Sequence, residues 1–236
     1  MKKALKSLLI TILVAVVAAG GFYVYKGMER AKELEEQFPL EQLVEQVETS
    51  PSYVPYDQID PFLLEATVAV EDARFYDHNG LDWIGLIRAG LSQIVPVFGK
   101  SGGSTITQQV VKNLYGQYDQ GLDWKIPEMF LALQLEKGLD KNEILTLYVN
   151  IINYGDGYTG INEASWGYFG VAPIDLSDWQ ASLLVGIPQS PANLQLSDHY
   201  EQALSKQRVV LEAMVRNKMI SSEQADEIES ESVTAY

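Results

Sequence analysis

The sequence predicts a mainly α-helical exported domain behind a single membrane-spanning helix, and three observations predict it. A run of nineteen residues near the N-terminus, Ser7 to Tyr25, is uncharged and mostly apolar. Beyond it, apolar residues recur at three- and four-residue intervals between helix-capping signals. No stretch shows clear strand alternation, an internal repeat or low complexity.

As a helix, the apolar run would extend roughly 28 Å, close to the thickness of a bilayer core. Lys2, Lys3 and Lys6 precede it, and Phe22, Tyr23 and Tyr25 close it. That order puts residues 1–6 in the cytoplasm and the aromatics at the outer interface. Val17-Ala18-Ala19 would also suit a cleaved signal peptide, but the run exceeds a usual signal core and favours a retained anchor over 7–25. Either way, the globular part is exported. Residues 26–52 are rich in Glu and Gln, with Leu34, Phe38, Leu40, Leu43, Val44 and Val47 at helical intervals. They read as an acidic stalk, linker or packing helix broken at Pro39. Ser50 to Pro55 is an extended link, and the folded domain is assigned to 53–236.

Asp60-Pro61 opens the first helix of that domain, Asp as N-cap and Pro at the first position. It carries Phe62, Leu63, Ala66, Val68, Ala69 and Val70 and ends near Glu71. A second helix is expected from Asp82 through Leu91. Others are expected over Lys141 to Asn150, Asp178 to Ile187 and Tyr200 to Lys218, with a short one from Ser221.

Composition narrows the function. All 32 acids lie beyond Lys26 and four of the 17 bases lie at or before it, so the exported part has 13 bases and a formal charge of −19. That excludes nucleic acid as a natural ligand and disfavours broad docking on anionic lipid. Any phosphate site must be a local basic pocket in an acidic shell. The chain has no cysteine and two histidines, His78 and His199, which rules out disulfides, thiol chemistry and a Cys- or His-rich metal centre.

Three segments carry candidate chemistry. Glu71 lies where an apolar helix gives way to the polar run Asp72-Ala73-Arg74-Phe75-Tyr76-Asp77-His78-Asn79-Gly80-Leu81-Asp82. Partial desolvation there suits a carboxylate to general-base work. The plainer alternative is a helix-end Glu paired with Arg74. Gly102-Gly103-Ser104-Thr105 precedes a helix in which Thr105 and Gln108 have capping-box spacing. Free N–H groups at that start would form an anion site, with Gln108, Gln109 and Lys112 expected on one side of the first turns. Glu128 follows Pro127 and precedes the apolar stretch Met129 to Leu135. Pro127 is expected in the first helical turn, with Glu128 directed into a cleft.

These segments resemble the peptidoglycan glycosyltransferases (glycosyltransferase family 51), in a monofunctional form like the transglycosylase domain of class A penicillin-binding proteins. The pattern Glu-Asp-x-x-Phe-x-x-His-x-Gly-x-Asp is complete from Glu71 to Asp82. Gly102-Gly103-Ser104-Thr105-Ile106-Thr107-Gln108-Gln109, with Lys112-Asn113, matches a second signature. Lys141 to Asn150, Ala164 to Gly170 and Leu184 to Pro191 resemble later ones, and the likeness covers Tyr53 to Glu227. The resemblance implies a lysozyme-like helical lobe and a smaller membrane-proximal jaw around Trp83 to Gly103. Ile84, Leu86, Ile87, Ile94, Val95, Val97 and Phe98 would supply apolar surface to that jaw.

The resemblance further implies polymerisation of lipid II into β-1,4-linked glycan, with inversion and release of undecaprenyl pyrophosphate. Glu71 would be the general base and Glu128 the second catalytic carboxylate. Asp72, Phe75, His78, Gly103, Ser104, Thr105, Gln108, Gln109, Lys112 and Lys125 would bind substrate. No cofactor is required, although a divalent ion could bridge the pyrophosphate without a dedicated protein cage. Implied partners are lipid II, the growing glycan-lipid chain, the membrane and other cell-wall synthesis proteins. The implied location is a bacterial cell membrane, single-pass, with the catalytic domain outside. Customary family arginines are replaced at Gln120, Trp124 and Ile151, which removes bidentate phosphate contacts. A weakened lipid II-binding or scaffold protein is therefore the alternative. A muramidase-like hydrolase is disfavoured by the Ser104 to Gln109 segment.

Overall fold

A computed structural model describes residues 2–94, 103–117 and 121–234. Among the described residues the regular structure is helical, with one isolated antiparallel bridge between Asn153 and Thr159. Gly102, Gln120 and the Val95 to Phe98 segment expected in the jaw lie outside the described residues.

Helix α1 runs without interruption over Lys2–Gln37, and its apolar part is long enough to cross a membrane. Pro39 then breaks the chain and α2 spans Leu40–Glu48. The acidic segment packs along the body: Ala31, Leu34, Leu40 and Val44 are buried in the same core as the later helices. Helix α3, Pro61–Glu71, opens with Asp60 accepting from Leu63 N–H at 2.9 Å. Helix α4, Trp83–Ile94, carries the described part of the expected jaw. Trp83, Ile84 and Ile87 are 62%, 66% and 64% exposed, so this apolar face is not consumed by the core.

Helices α5 (Ile106–Leu114), α6 (Gly121–Gly138) and α7 (Lys141–Ile151) pack against one another. In α7 the run Ile144 to Val149 is buried on every side, the mark of a central helix. Its start is fixed by a capping box between Asp140 and Glu143. Helix α8 covers Ile161–Phe169, α9 Asp178–Gly186 and α10 Pro191–Leu194. Helices α11 (Tyr200–Arg216) and α12 (Ser222–Thr234) complete the body, α11 packing on both α3 and α9.

Pro127 departs from expectation. It lies in the second turn of α6 and not in the first. An interior proline costs roughly 3 kcal/mol by removing a backbone donor and crowding the preceding turn. Tertiary packing compensates here. Helix α1 lies directly on this turn, where a Cβ at Gly27 would stand 2.3 Å from Ile126 Cγ2 and 3.3 Å from Pro127 Cδ. Only a residue without a side chain permits that approach.

Candidate active site

The site is built around the first turn of α5. Thr105 and Gln108 form the expected capping box: Gln108 N–H donates to Thr105 Oγ1 at 3.2 Å, and Thr105 N–H to Gln108 Oε1 at 3.1 Å. Thr105 Oγ1 also donates to Gly80 O at 2.7 Å, tying this helix start to the preceding loop. The Gln108 amide nitrogen then donates to Glu128 Oε1 at 2.8 Å. Its neighbour Gln109 donates from Nε2 to Glu71 Oε2 at 2.8 Å. Consecutive residues on a helix point about 100° apart, so two adjacent glutamines reach carboxylates on different sides of α5.

On the Glu128 side, Lys125 Nζ donates to Glu128 Oε1 and, at 2.8 Å, to Ser104 Oγ. A cavity of about 400 Å³ opens here, lined by Ser104, Gln108, Lys112, Glu128 and Tyr148. On the Glu71 side, a cavity of about 710 Å³ is lined by Glu71, Arg74, Arg88, Ser104, Gln189 and Arg216. Both are bounded by Ser104 and Gln109. Tyr148 is fully buried beneath Gln109, with its hydroxyl 3.5 Å from Gln109 Oε1. Burial first, and the Glu71 charge second, push its phenol well above the ordinary range.

Several residues expected to contact substrate also support the site, and of these Asp72 and Thr105 line the Glu71 cavity and Gln108 the Glu128 cavity. Asp72 is buried, and its Oδ2 accepts from Ile106 N–H at 3.1 Å while both carboxylate oxygens accept from His78 Nε2 at 3.0 Å. A carboxylate at a helix N-terminus is stabilised by the unsatisfied N–H groups and the macrodipole. Here it joins the end of α3 to the start of α5. Phe75 is fully buried, with Lys141 Nζ 4.3 Å from its ring centroid, and lines neither cavity. Thr105 and Gln108 are buried too. The anion site expected from free N–H groups is corrected accordingly: those of Thr105, Ile106 and Gln108 already have acceptors within the protein. Ser104, Lys112 and Lys125 retain side chains on the Glu128 cavity or beside it, and Gly103 lines the Glu71 cavity.

Arg74 does not pair with Glu71. Its guanidinium binds Asp82, which also accepts from Gly85 N–H at 2.9 Å. Burial would raise the Asp82 carboxyl, but the Gly85 N–H and the Arg74 charge outweigh burial and hold it below its ordinary value. Trp124 is buried in the core, its ring centroid 6.1 Å from that of Tyr115, and lines neither cavity. Ile151 lines a separate cavity with Leu43, Tyr53 and Glu163. Two of the replaced arginine positions therefore face away from the carboxylates, and the third is Gln120. Among the described residues no group of three or more His, Cys, Asp or Glu side chains is placed to hold a metal ion.

Sequence reasoning assigned no role to Gln189, which donates from Nε2 to Glu71 Oε1 at 2.8 Å, or to Lys206 behind it, which donates to Gln189 Oε1. Gln189 lies in a segment singled out only by resemblance, and Lys206 reads as an ordinary helical lysine. Arg88 and Arg216, on the wall of the larger cavity, were also without a local signal.

The family model described as Transglycosylase matches residues 37–215. Penicillin-binding protein 2D of Bacillus subtilis (strain 168) is 39% identical over 176 residues, 75% of this chain and 26% of that protein. Penicillin-binding protein 1A of Escherichia coli (strain K12) is 35% identical over 182 residues, 77% of this chain and 21% of that protein. The chain thus spans about a quarter or less of the length of these relatives. A Cupriavidus necator (strain H16) protein, named only as a candidate transglycosylase, is 37% identical over 177 residues, 75% of this chain and 76% of its own length.

Proposed function

Since the chain belongs to the transglycosylase family, we propose that it is a peptidoglycan glycosyltransferase that polymerises lipid II. The observation that carries the reading is the division of labour across α5, where Gln109 holds Glu71 and Gln108 holds Glu128. In this reading the acceptor sugar lies in the larger cavity, and Glu71 takes the proton from its 4-hydroxyl. The oxygen attacks C1 of the N-acetylmuramic acid at the reducing end of the growing chain, and the C1–O bond to undecaprenyl pyrophosphate breaks. Attack opposite the leaving group inverts the anomeric centre from α to β, the stereochemistry of an inverting two-carboxylate site with a sugar hydroxyl in place of water.

The leaving pyrophosphate would be met by Lys112, Lys125 and the Ser104 hydroxyl. Glu128, ion-paired to Lys125 and bonded to Gln108, fixes the ammonium. The reaction so read needs no resident cofactor, and a divalent ion bridging the pyrophosphate would arrive with the substrate. We place α1 in a bacterial membrane as a single anchor with the catalytic body on the outer face, where it would meet lipid II and other cell-wall synthesis proteins. The basic residues before the apolar run favour that orientation.

The test is polymerisation of labelled lipid II by full-length protein in detergent, beside Glu71→Gln. Glycan ladders from the wild type and none from the variant are expected. Wild-type protein that binds lipid II and makes no ladder would overturn the polymerase and favour a binding protein.

A further inference from the structure

The two hydrogen bonds on Glu71 are not equally secure. Each carboxylate oxygen accepts one amide N–H, from Gln109 and from Gln189, both at 2.8 Å. A carboxamide can turn over and present its oxygen instead, which would repel a carboxylate. What prevents this is the partner of the amide oxygen. For Gln109 that partner is the Tyr148 hydroxyl at 3.5 Å, a long contact. For Gln189 it is the Lys206 ammonium, which has three donors and no acceptor. The Gln189 oxygen must face Lys206, so its nitrogen must face Glu71.

The surroundings fit a fixed relay. Lys206 is partly buried and lines neither cavity, so it stands behind Gln189 and away from where substrate would lie. Burial pushes its ammonium below the ordinary lysine range, and the Glu71 charge opposes that shift. Room for its stem comes from Gly186, where a Cβ would stand 2.9 Å from Lys206 Cγ.

We infer that Lys206 is a positioning residue for Glu71, acting through the Gln189 amide, whose orientation it locks. This rests on Glu71 being the general base. The lock keeps the carboxylate aimed, with lone pairs on both oxygens left over for the acceptor hydroxyl.

The experiment uses full-length protein in detergent, with two readouts. In lipid II turnover, Lys206→Met should lower kcat roughly tenfold or more, a fraction of the 10²–10⁴ supplied by a general base, with KM within about twofold of wild type. Lys206→Arg, which also only donates, should restore most of the rate. Gln189→Glu, an exposed change that sets a carboxylate beside Glu71, should lower kcat by a similar factor. Wild-type kcat in either Lys206→Met or Gln189→Glu, or a loss confined to KM, would overturn the lock. In the second readout, nitrogen NMR of glutamine side chains, the Gln189 resonance is identified by its loss in Gln189→Ala. It should move in Lys206→Met and in Glu71→Gln, and an unmoved resonance in Lys206→Met overturns the lock. If the wild type makes no glycan, the polymerase reading fails while the NMR experiment still decides the lock.

Discussion

What a carboxylate can do depends on which of its lone pairs are already occupied. Glu71 and Asp72 are neighbours in the chain with opposite employments. Both border the larger cavity, but Asp72 is buried and committed to His78 and the Ile106 N–H, whereas Glu71 accepts only from the side-chain amides of Gln109 and Gln189 among the hydrogen bonds described. Asp72→Asn would set an amide where two donors need an acceptor, and leaving such groups unsatisfied costs about 1–3 kcal/mol. Its unfolding midpoint in urea should fall accordingly, whereas Glu71→Gln should unfold close to the wild type while losing polymerisation. Trp124 calls for a similar test. Restoring the customary arginine there would place a guanidinium in the core beside Tyr115. Trp124→Arg should lose about 3–5 kcal/mol, through lost packing and an unpaired buried charge. It should not raise the rate of glycan synthesis. A faster and equally stable variant would show that this position serves the cleft after all.

At the scale of elements, the site is a set of helix ends brought to one helix start. The last turn of α3 delivers Glu71, the first turn of α5 delivers the two glutamines, and the second and third turns of α6 deliver Lys125 and Glu128. Much of this was legible because capping is local. Asp60 with Pro61, and Thr105 with Gln108, announce helix starts within a few residues of themselves. What failed was non-local. The N–H groups at the start of α5 look available in the sequence, yet one is taken by Asp72, 34 positions earlier. Gln189 reaches Glu71 across 118 positions, and no periodicity reports such a pairing. Pro127 was misplaced for the same reason. The local rule for proline is sound, but it cannot see α1 lying across the turn that contains it.

At the scale of the whole molecule, α1 is both an apolar helix and a wall of the catalytic body. Gly27 meets Ile126 and Pro127, and farther along Glu35 and the Phe38 carbonyl accept from the Tyr115 hydroxyl at 3.2 and 2.9 Å. Tyr115 caps α5, so the same helix touches both elements that carry the glutamines and the Lys125–Glu128 pair. Gly27→Leu should force α1 off α6. We expect a loss of about 1–3 kcal/mol in thermal unfolding, as for overpacking elsewhere, and a larger fractional fall in polymerisation than in folded protein. Equal falls in both would assign Gly27 to stability alone. The uninterrupted course of α1 has a mechanical corollary. A membrane helix answers a thicker or thinner bilayer by tilting, and α1 runs as one continuous helix from its apolar segment to its contacts with the body at Gly27 and Glu35. Lys125 and Glu128, on the helix that α1 packs against, would then be coupled to that tilt, so that acyl-chain length becomes a variable of the chemistry as well as of the anchoring.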